Sequence, residues 1–292
     1  MKAAKRFFKR ASSVLARLDA WLPPEKQDID WTALAFRWQQ VGRSGYLQSL
    51  PQPHTFPLSR LAAVDLQMTK LVRNTKQFLA GKPANNVLLT GARGTGKSSL
   101  VKGLLHEYAA EGLRLIEVDK SDLVTLPELL EILAERPEHF IVFCDDLSFD
   151  AGDDRYKALK TALDGGLSVR SANVLVYATS NRRHLMPEYF ADNQATQGAS
   201  GEVHEKEAVE EKVSLSDRFG LWLSFYPFDQ EAYLQAVANW LGDADVVYDD
   251  VARDAALDWS RSRGGRSGRV AWQFVCDWVG REPHERVAEK GV

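Results

Sequence analysis

The chain has 292 residues, of which 45% are hydrophobic and 26% are charged, so we expect a soluble globular protein with a well-buried core and two folded units. The net charge of −3 gives no overall attraction to nucleic acid, and two cysteines are too few for a disulfide framework, which favours a reducing, cytoplasmic location. No apolar run approaches the roughly 18 residues of a membrane-spanning helix.

The first 57 residues are interpreted as a helical arm followed by a linker. Residues 2–22 carry lysines and arginines around Phe7 and Phe8 and predict a basic amphipathic helix that ends before Pro23. Such a helix either contacts an anionic membrane, binds an acidic partner or packs on the protein itself. Residues 30–40 have apolar side chains at helical spacing and predict a second helix, and three prolines then indicate an extended connection.

Residues 58–228 alternate helical segments with apolar, strand-like segments. This alternation predicts an α/β core with a parallel sheet between two layers of helices. The expected helices cover Asp65–Leu79, Leu126–Glu135 and Tyr156–Asp164, and the expected strands Val87–Leu89, Leu113–Val118, Phe140–Cys144 and Asn173–Ala178. Ligands bind such sheets at the carboxyl ends of the strands.

A glycine-rich stretch follows the first of these strands and satisfies G-x-x-x-x-G-K-[ST] at every fixed position. Its backbone N–H groups can converge on phosphate oxygens, and the helix that begins near Lys97 adds its positive dipole end. Lys97 is expected to reach the β- and γ-phosphates, and the Ser98 hydroxyl to bind Mg²⁺. We therefore predict an ATP site formed by Gly91, Ala92, Arg93, Gly94, Thr95, Gly96, Lys97, Ser98 and Ser99.

Polar side chains follow two of the later strands. The strand over Phe140–Cys144 ends in Asp145, which is expected to hold Mg²⁺ opposite Ser98, and in Asp146, which is expected to orient or deprotonate the attacking water. Asn181 follows the next strand and has the chemistry to bind the γ-phosphate or that water. Together with Lys97, these residues form the predicted catalytic set.

The remainder of the chain is expected to contain a loop and a small helical bundle. Residues 191–212 are polar and acidic and predict a mobile loop. Residues 229–292 predict three helices, beginning near Asp229, Val251 and Arg269. The linker over residues 261–269 holds four arginines, so it is a nucleic-acid patch, a source of one arginine for the nucleotide site, or a solvated turn.

These motifs, in this order, resemble the AAA+ ATPase superfamily. Residues 91–98 are similar to its Walker A loop, residues 141–146 to its Walker B strand, and Asn181 to its sensor-1 residue. The resemblance implies that Arg218 is an arginine finger for a neighbouring subunit, and that Arg269, or else Arg266, is the sensor-2 arginine. Three segments are more closely similar to a bacterial AAA+ family of unassigned function, DUF815: residues 84–89, 144–149 and 214–220.

One position departs from the superfamily pattern. The second acidic residue of the Walker B strand is usually Glu, whereas here it is Asp146, which is one methylene shorter. A misplacement of about 1 Å can lower a rate about a hundredfold. The sequence therefore predicts ATP binding with slow or partner-regulated hydrolysis.

The predicted function is that of a Mg²⁺-dependent AAA+ ATPase that assembles with copies of itself and remodels or regulates a macromolecular partner. Three alternatives stay open at this point: a nucleic-acid-associated ATPase similar to helicase loaders, a small-molecule kinase, and a nucleotide-sensing scaffold with little hydrolysis. The loader would use Arg182, Arg183 and the arginines of residues 261–269 on phosphates. The kinase lacks a recognisable acceptor site in the sequence. The scaffold would dock through the arm, with peripheral membrane contact through residues 1–22.

Overall fold

A seven-stranded sheet forms the centre of the molecule. The computed structural model describes residues 29–42, 44–149, 153, 155–164, 172–182, 215–282 and 286. The strands lie in the order β2-β1-β4-β5-β6-β3-β7, and only the β1–β2 pair is antiparallel. Their bounds are β1 Ala35–Val41, β2 Ser44–Leu50, β3 Val87–Gly91, β4 Leu113–Val118, β5 His139–Cys144, β6 Val174–Ser180 and β7 Leu221–Phe225.

Two layers of helices cover this sheet. On one face, α1 (Asp65–Leu79) and α2 (Lys97–Tyr108) pack on the side chains of β3 and β7. On the other face, α3 (Leu126–Ala134) and α4 (Arg155–Asp164) bury their leucines against β5 and β6. The sheet is mostly parallel and covered on both sides, which confirms the predicted α/β fold class.

Three further helices form a separate small core. They are α5 (Gln230–Asp243), α6 (Asp250–Ser262) and α7 (Gly268–Gly280), and their buried residues include Tyr233, Phe274 and Trp278. Asp229, Asp249 and Ser267 cap the three helices by accepting a hydrogen bond from the amide three residues later. The predicted C-terminal bundle, called the lid below, is confirmed.

The helix predicted over residues 30–40 is wrong. Residues 35–41 form β1, which pairs with β4 on one side and with β2 on the other. Phe36 and Trp38 are buried on one face of the sheet, whereas Arg37 between them is half-exposed on the other face. This alternation is short, and the apolar side chains at positions 31, 34, 35 and 38 also have helical spacing. The distant strand β4 decides the outcome, and residues 35–41 and 44–50 belong to the sheet rather than to an arm.

Several sequence predictions concern residues outside the described ranges. They are the basic helix over residues 2–22, the acidic loop over residues 191–212, and the side chain of Arg183. The boundaries at residues 57 and 228 remain predictions. None of the helices in the described ranges has both the length and the apolar character that a bilayer crossing demands.

Candidate nucleotide-binding site

The glycine-rich stretch lies between the carboxyl end of β3 and the start of α2. Gly91 has φ 131°, and a Cβ atom there would lie 1.9 Å from the carbonyl oxygen of Phe225 on the neighbouring strand β7. Only glycine therefore allows the chain to leave β3 at this point. The next amide, that of Ala92, donates to the same carbonyl at 3.3 Å. Packing against β7 thus fixes where the loop begins.

Lys97 lies in the first turn of α2, and its side chain returns to the loop. Its Nζ donates to the carbonyl oxygens of Gly91 at 2.8 Å and Ala92 at 2.7 Å, and to Oδ1 of Asn181 at 3.0 Å. Burial lowers the pKa of Lys97, while the charges of Asp145 and Asp146 act in the opposite direction. The lysine thus connects the loop to the carboxyl end of β6.

Ser98, in the first turn of α2, contacts Asp145, which follows β5. The Ser98 hydroxyl donates to Oδ1 of Asp145 at 2.6 Å, and Thr179 donates to the same oxygen at 2.6 Å. Asp145 follows β5, and β5 and β6 are parallel neighbours, so the two strand ends meet at one edge of the sheet. The predicted juxtaposition of residues 98 and 145 is therefore present.

Asp146 occupies a left-handed backbone conformation with φ 50°, which is uncommon for residues other than glycine. Its amide donates to Oγ1 of Thr179 at 2.9 Å, and its carboxylate accepts a hydrogen bond from Nδ2 of Asn181. Because the other end of the Asn181 amide group accepts from Lys97, Asn181 joins the lysine to the second carboxylate. The four predicted catalytic side chains of this subunit lie in one connected network.

A cavity of about 930 Å³ extends from this network to the lid. Twelve of its lining residues come from the loop, α2 and the polar strand ends: Arg93, Gly94, Thr95, Gly96, Lys97, Ser98, Ser99, Lys102, Asp145, Asp146, Thr179 and Asn181. The segment before α1 supplies His54, Phe56, Arg60, Leu61 and Ala62, the connection before α5 supplies Phe228, and the lid supplies Ala236, Trp240, Asp243, Ala244, Gly268, Arg269 and Trp272. The part lined by the loop, α2 and the strand ends is called the polar end below. The part lined by residues 54–62 and the lid is called the aromatic end; it holds Phe56, Trp240 and Trp272 as well as the charged Arg60, Asp243 and Arg269.

The lid contacts the loop directly. The amide of Arg269 donates to the carbonyl oxygen of Gly94 at 3.3 Å, and a Cβ atom on Gly94 would lie 2.9 Å from Oγ of Ser267. Arg60 of the core forms an ion pair with Asp243 of the lid at 2.9 Å. Of the two arginines considered for the lid, Arg269 lines the cavity, whereas Arg266 is not among the described lining residues.

The other arginines of the lid linker have partners within the lid. Nη1 of Arg261 donates to Oδ1 of Asp258, and Nη2 of Arg266 donates to Oε1 of Gln230 at 3.3 Å. The guanidinium of Arg263 stacks on the Trp259 ring with its carbon 4.7 Å from the ring centroid. These contacts place the three arginines on the surface of the bundle, and the nucleic-acid patch remains a prediction.

Arg218 lies away from this cavity. Its Nε forms an ion pair with Oδ1 of Asp164, at the end of α4, at 2.6 Å. The neighbouring residues Leu215 and Phe219 are buried in the core, which fixes the position of this segment. Within the described residues, Arg218 is absent from the lining of its own subunit's cavity.

The chemistry of the polar end suits a magnesium ion that also binds phosphate. Mg²⁺ prefers oxygen ligands and is commonly held by one or two protein groups together with substrate phosphates and waters. Ser98 and Asp145 supply two oxygen atoms that are 2.6 Å apart beside the loop. The described part of the chain contains no group of three or more His, Cys, Asp or Glu residues placed to hold a metal by themselves. The residues thus fit a metal that arrives with its nucleotide.

Sequence reasoning missed the aromatic end of the cavity and the role of Thr179. Neither Trp240 nor residues 54–62 were predicted as part of the site. No local pattern indicates that these two segments meet, because they are separated by more than 170 residues and join only through the fold. Thr179 was not predicted as part of the site, and its position two residues before Asn181 was the available signal.

Comparison with known families and structures gives the following matches. A family model described as "Protein of unknown function (DUF815)" matches residues 31–282. Among curated proteins, none matches the sequence.

Solved structures with a similar fold include RuvB of Thermotoga maritima, with a TM-score of 0.50 and 16% sequence identity, over 74% of this chain and 62% of RuvB. ORC1 of Aeropyrum pernix, solved in complex with DNA, gives a TM-score of 0.51 and 16% identity over 72% of this chain and 58% of ORC1. PCH-2 of C. elegans gives a TM-score of 0.50 and 17% identity over 79% of this chain and 66% of PCH-2. The chain thus spans less than two thirds of the RuvB length, and the likeness establishes an AAA+ P-loop fold.

Proposed function

The chain belongs to the DUF815 family, whose function is unassigned, and on that premise we propose that it is a Mg²⁺-dependent ATP-binding protein that hydrolyses ATP slowly or under the control of a partner. The observation that carries this proposal is the convergence of Lys97, Ser98 and Asp145 on one cavity. Nζ of Lys97 lies on the loop carbonyls, and the Ser98 hydroxyl lies 2.6 Å from Oδ1 of Asp145. Triphosphate binding needs these three groups beside a glycine-rich loop.

Each residue of the network has a proposed part in hydrolysis. Lys97 exchanges its bonds to the loop carbonyls for bonds to the β- and γ-phosphate oxygens, and Ser98 and Asp145 hold the metal. Bound Mg²⁺ would neutralise charge on the phosphates as the terminal phosphoryl group is transferred to water. Asp146 and Asn181 place the attacking water in line, because their side chains already contact each other at the phosphate end of the cavity. The lid arginine, Arg269, lines the same cavity beside Gly94 and contributes positive charge there.

The position of Arg218 outside its own subunit's cavity supports a site that a second copy of the chain completes. Arg218 is held on the outside of its own site by Asp164 and by the buried residues on either side of it. We propose that it enters the cavity of a neighbouring subunit, where an added arginine can stabilise charge in the transition state. Hydrolysis would then depend on assembly, and assembly on bound nucleotide. A macromolecule remodelled by this assembly is the proposed partner.

Steady-state ATP hydrolysis and ATP binding, measured over a wide range of protein concentration, test these proposals. We expect specific activity to rise with concentration. Asp146→Asn should retain ATP binding and lose turnover, because an amide cannot accept the proton of the water. Arg218→Ala should retain binding and lower turnover about a hundredfold or more. Arg253→Ala is the matched control, since Arg253 is a half-exposed arginine on α6 that pairs only with its neighbour Asp254 at 3.7 Å in the described contacts.

The outcomes separate the proposals. An absence of ATP binding in the wild type contradicts the proposed function as a whole. Equal turnover in the wild type and Arg218→Ala at saturating protein concentration contradicts the shared site alone. Tight ATP binding without turnover at any concentration would favour the nucleotide-sensing scaffold instead.

A further inference from the structure

Thr179 lies between the two strands that carry the proposed phosphate and metal groups. It is the penultimate residue of β6, and its register partner on β3 is Leu89, two residues before Gly91. On the other side of β6, Ala178 pairs with Cys144, the last residue of β5. Thr179 is 1% exposed, and the described hydrogen bonds of its hydroxyl are both made within the protein. The position of this hydroxyl is therefore set by the centre of the sheet.

Three consecutive residues after β5 are bound to Thr179. Its hydroxyl donates to Oδ1 of Asp145 at 2.6 Å and accepts from the amide of Asp146 at 2.9 Å, and its carbonyl oxygen accepts from the amide of Leu147 at 2.7 Å. A hydroxyl has one proton, and the amide can only donate, so the proton goes to the carboxylate. The turn at the end of β5 is thus held by hydrogen bonds to a single residue of β6.

These bonds distinguish the two oxygens of Asp145. Oδ1 accepts from Ser98, from Thr179 and, at 3.2 Å, from the amide of Asp146. Hydrogen bonds from the described residues all reach Oδ1 and none reaches Oδ2. A carboxylate held at one oxygen has a fixed orientation, and its second oxygen remains available to a cation or to the waters around it.

We infer that Thr179 is a positioning residue that orients Asp145 for Mg²⁺ and, through the amide of Asp146, holds the second carboxylate against Asn181. The inference rests on the proposed function, because it concerns the metal of the same site. Asp146 keeps its left-handed conformation through the bond from its amide to the Thr179 hydroxyl, and in that conformation its carboxylate meets Asn181. Removal of the Thr179 hydroxyl therefore removes a hydrogen bond that orients Asp145 and a hydrogen bond that orients Asp146.

The test compares ATP affinity in excess Mg²⁺ with ATP affinity in EDTA, by calorimetry, for four proteins. They are the wild type, Thr179→Val, Thr179→Ser and Thr75→Val. Valine keeps the shape of threonine and loses the hydroxyl, whereas serine keeps the hydroxyl. Thr75→Val is the matched control, because Thr75 is equally buried and also makes two hydrogen bonds, to the carbonyl oxygen of Leu71 and to the hydroxyl of Tyr177, away from the cavity.

We expect the wild type to bind ATP more tightly in Mg²⁺ than in EDTA. In Thr179→Val, the ratio of ATP affinity in Mg²⁺ to ATP affinity in EDTA should fall about tenfold or more, the usual effect of removing a group that orients a metal ligand. The affinity in EDTA itself should not change. Thr179→Ser and Thr75→Val should keep the gain. Thermal unfolding without nucleotide shows whether each variant is folded. If Thr179→Val cannot be purified folded, Thr179→Ser and Thr179→Cys replace it, and cysteine, a weak donor, should lose most of the gain.

Two results would overturn the inference. In the first, Thr179→Val keeps the full Mg²⁺-dependent gain. In the second, it loses affinity equally in Mg²⁺ and in EDTA, which would mean that the hydroxyl only supports the fold of the loop. A wild type that does not bind ATP in either condition refutes the proposed function instead, so the two failures are distinguishable.

Discussion

Replacing Gly94 by alanine tests whether the lid rests on the glycine-rich loop. Gly94 has φ 74°, and an added Cβ atom would lie 2.9 Å from Oγ of Ser267 and 3.1 Å from Cβ of Arg269. Alanine in the left-handed region costs about 1–2 kcal/mol relative to its preferred conformation. Ser267 must then rotate away from the amide of Val270, to which its Oγ is bonded at 3.2 Å, and loss of this helix cap costs about 1 kcal/mol.

The expected loss in the free energy of unfolding is therefore about 2–3 kcal/mol. Gly112→Ala is the matched control, because Gly112 has φ 93° and no atom lies within 4 Å of an added Cβ. It should lose only the conformational part, about 1–2 kcal/mol. Urea unfolding followed by tryptophan fluorescence measures both values, and the four proteins of a double-mutant cycle with Ser267→Gly isolate the contact, since glycine is a tolerable cap.

Ser267→Gly should remove much of the excess cost of Gly94→Ala. If Gly94→Ala loses no more than Gly112→Ala, the lid does not press on the loop at this residue. If the excess survives in the double variant, the contact with Ser267 is not its cause. The first result would refute the close approach of the lid to the loop, and the second would assign the excess to Arg269, whose Cβ atom lies 3.1 Å from the added Cβ.

Three further predictions concern other parts of the molecule. The guanidinium of Arg155 and the ammonium of Lys120 hold the pKa of the Asp153 carboxyl well below its usual range, so the contribution of this charge to stability is full above about pH 4 and falls as the pH drops further. Asp153→Asn should therefore be less stable than the wild type at neutral pH. Urea unfolding at a series of pH values should show this difference in the free energy of unfolding shrinking below about pH 4. Tyr177→Phe should lose about 1 kcal/mol in the same assay, because the Tyr177 hydroxyl is buried and bonded to Asn74. Trp272→Ala should weaken ATP about tenfold or more and leave inorganic triphosphate unaffected, because Trp272 lines the aromatic end of the cavity, where the base would stack.

Each of these predictions has an outcome that contradicts it. If the free energies of unfolding of Asp153→Asn and the wild type differ by a constant amount from neutral pH to about pH 2, the carboxylate charge does not stabilise the fold. A Tyr177→Phe protein as stable as the wild type would mean that Asn74 satisfies its amide elsewhere. Equal weakening of ATP and triphosphate by Trp272→Ala would place the tryptophan's effect on the loop or the lid rather than on the base.

The parts of the fold that the sequence predicted are those with strong local signals. The helix over Asp65–Leu79 and the strand over Leu113–Val118 have the predicted bounds, because each combines a clear period with a glycine, proline or cap at its ends. The strand β7 was missed, since its five residues alternate weakly and its stability comes from pairing with β3. The strand β1 was predicted as a helix for a related reason: its pairing partner lies far away in the sequence.

The candidate site shows the same division. A motif with fixed spacing places Lys97 and Ser98 relative to each other, and the strand ends place Asp145 and Asn181 at one edge of the sheet. The hydrogen bonds among them depend on strand register, which no local pattern encodes. The aromatic wall depends on how the lid packs against residues 54–62, and that arrangement is a property of the tertiary structure alone.

The connection between β7 and the lid has a consequence for how the lid behaves. Only residues 226–229 separate Phe225 from α5, and four residues span at most about 14 Å. A connection this short keeps the lid at a high effective concentration relative to the α/β core, on the order of millimolar or above. Contacts too weak to join separate molecules, such as the Arg60–Asp243 ion pair, are then sufficient to bias the lid towards the core. Small changes in charge at the cavity can therefore shift the lid without a large interface.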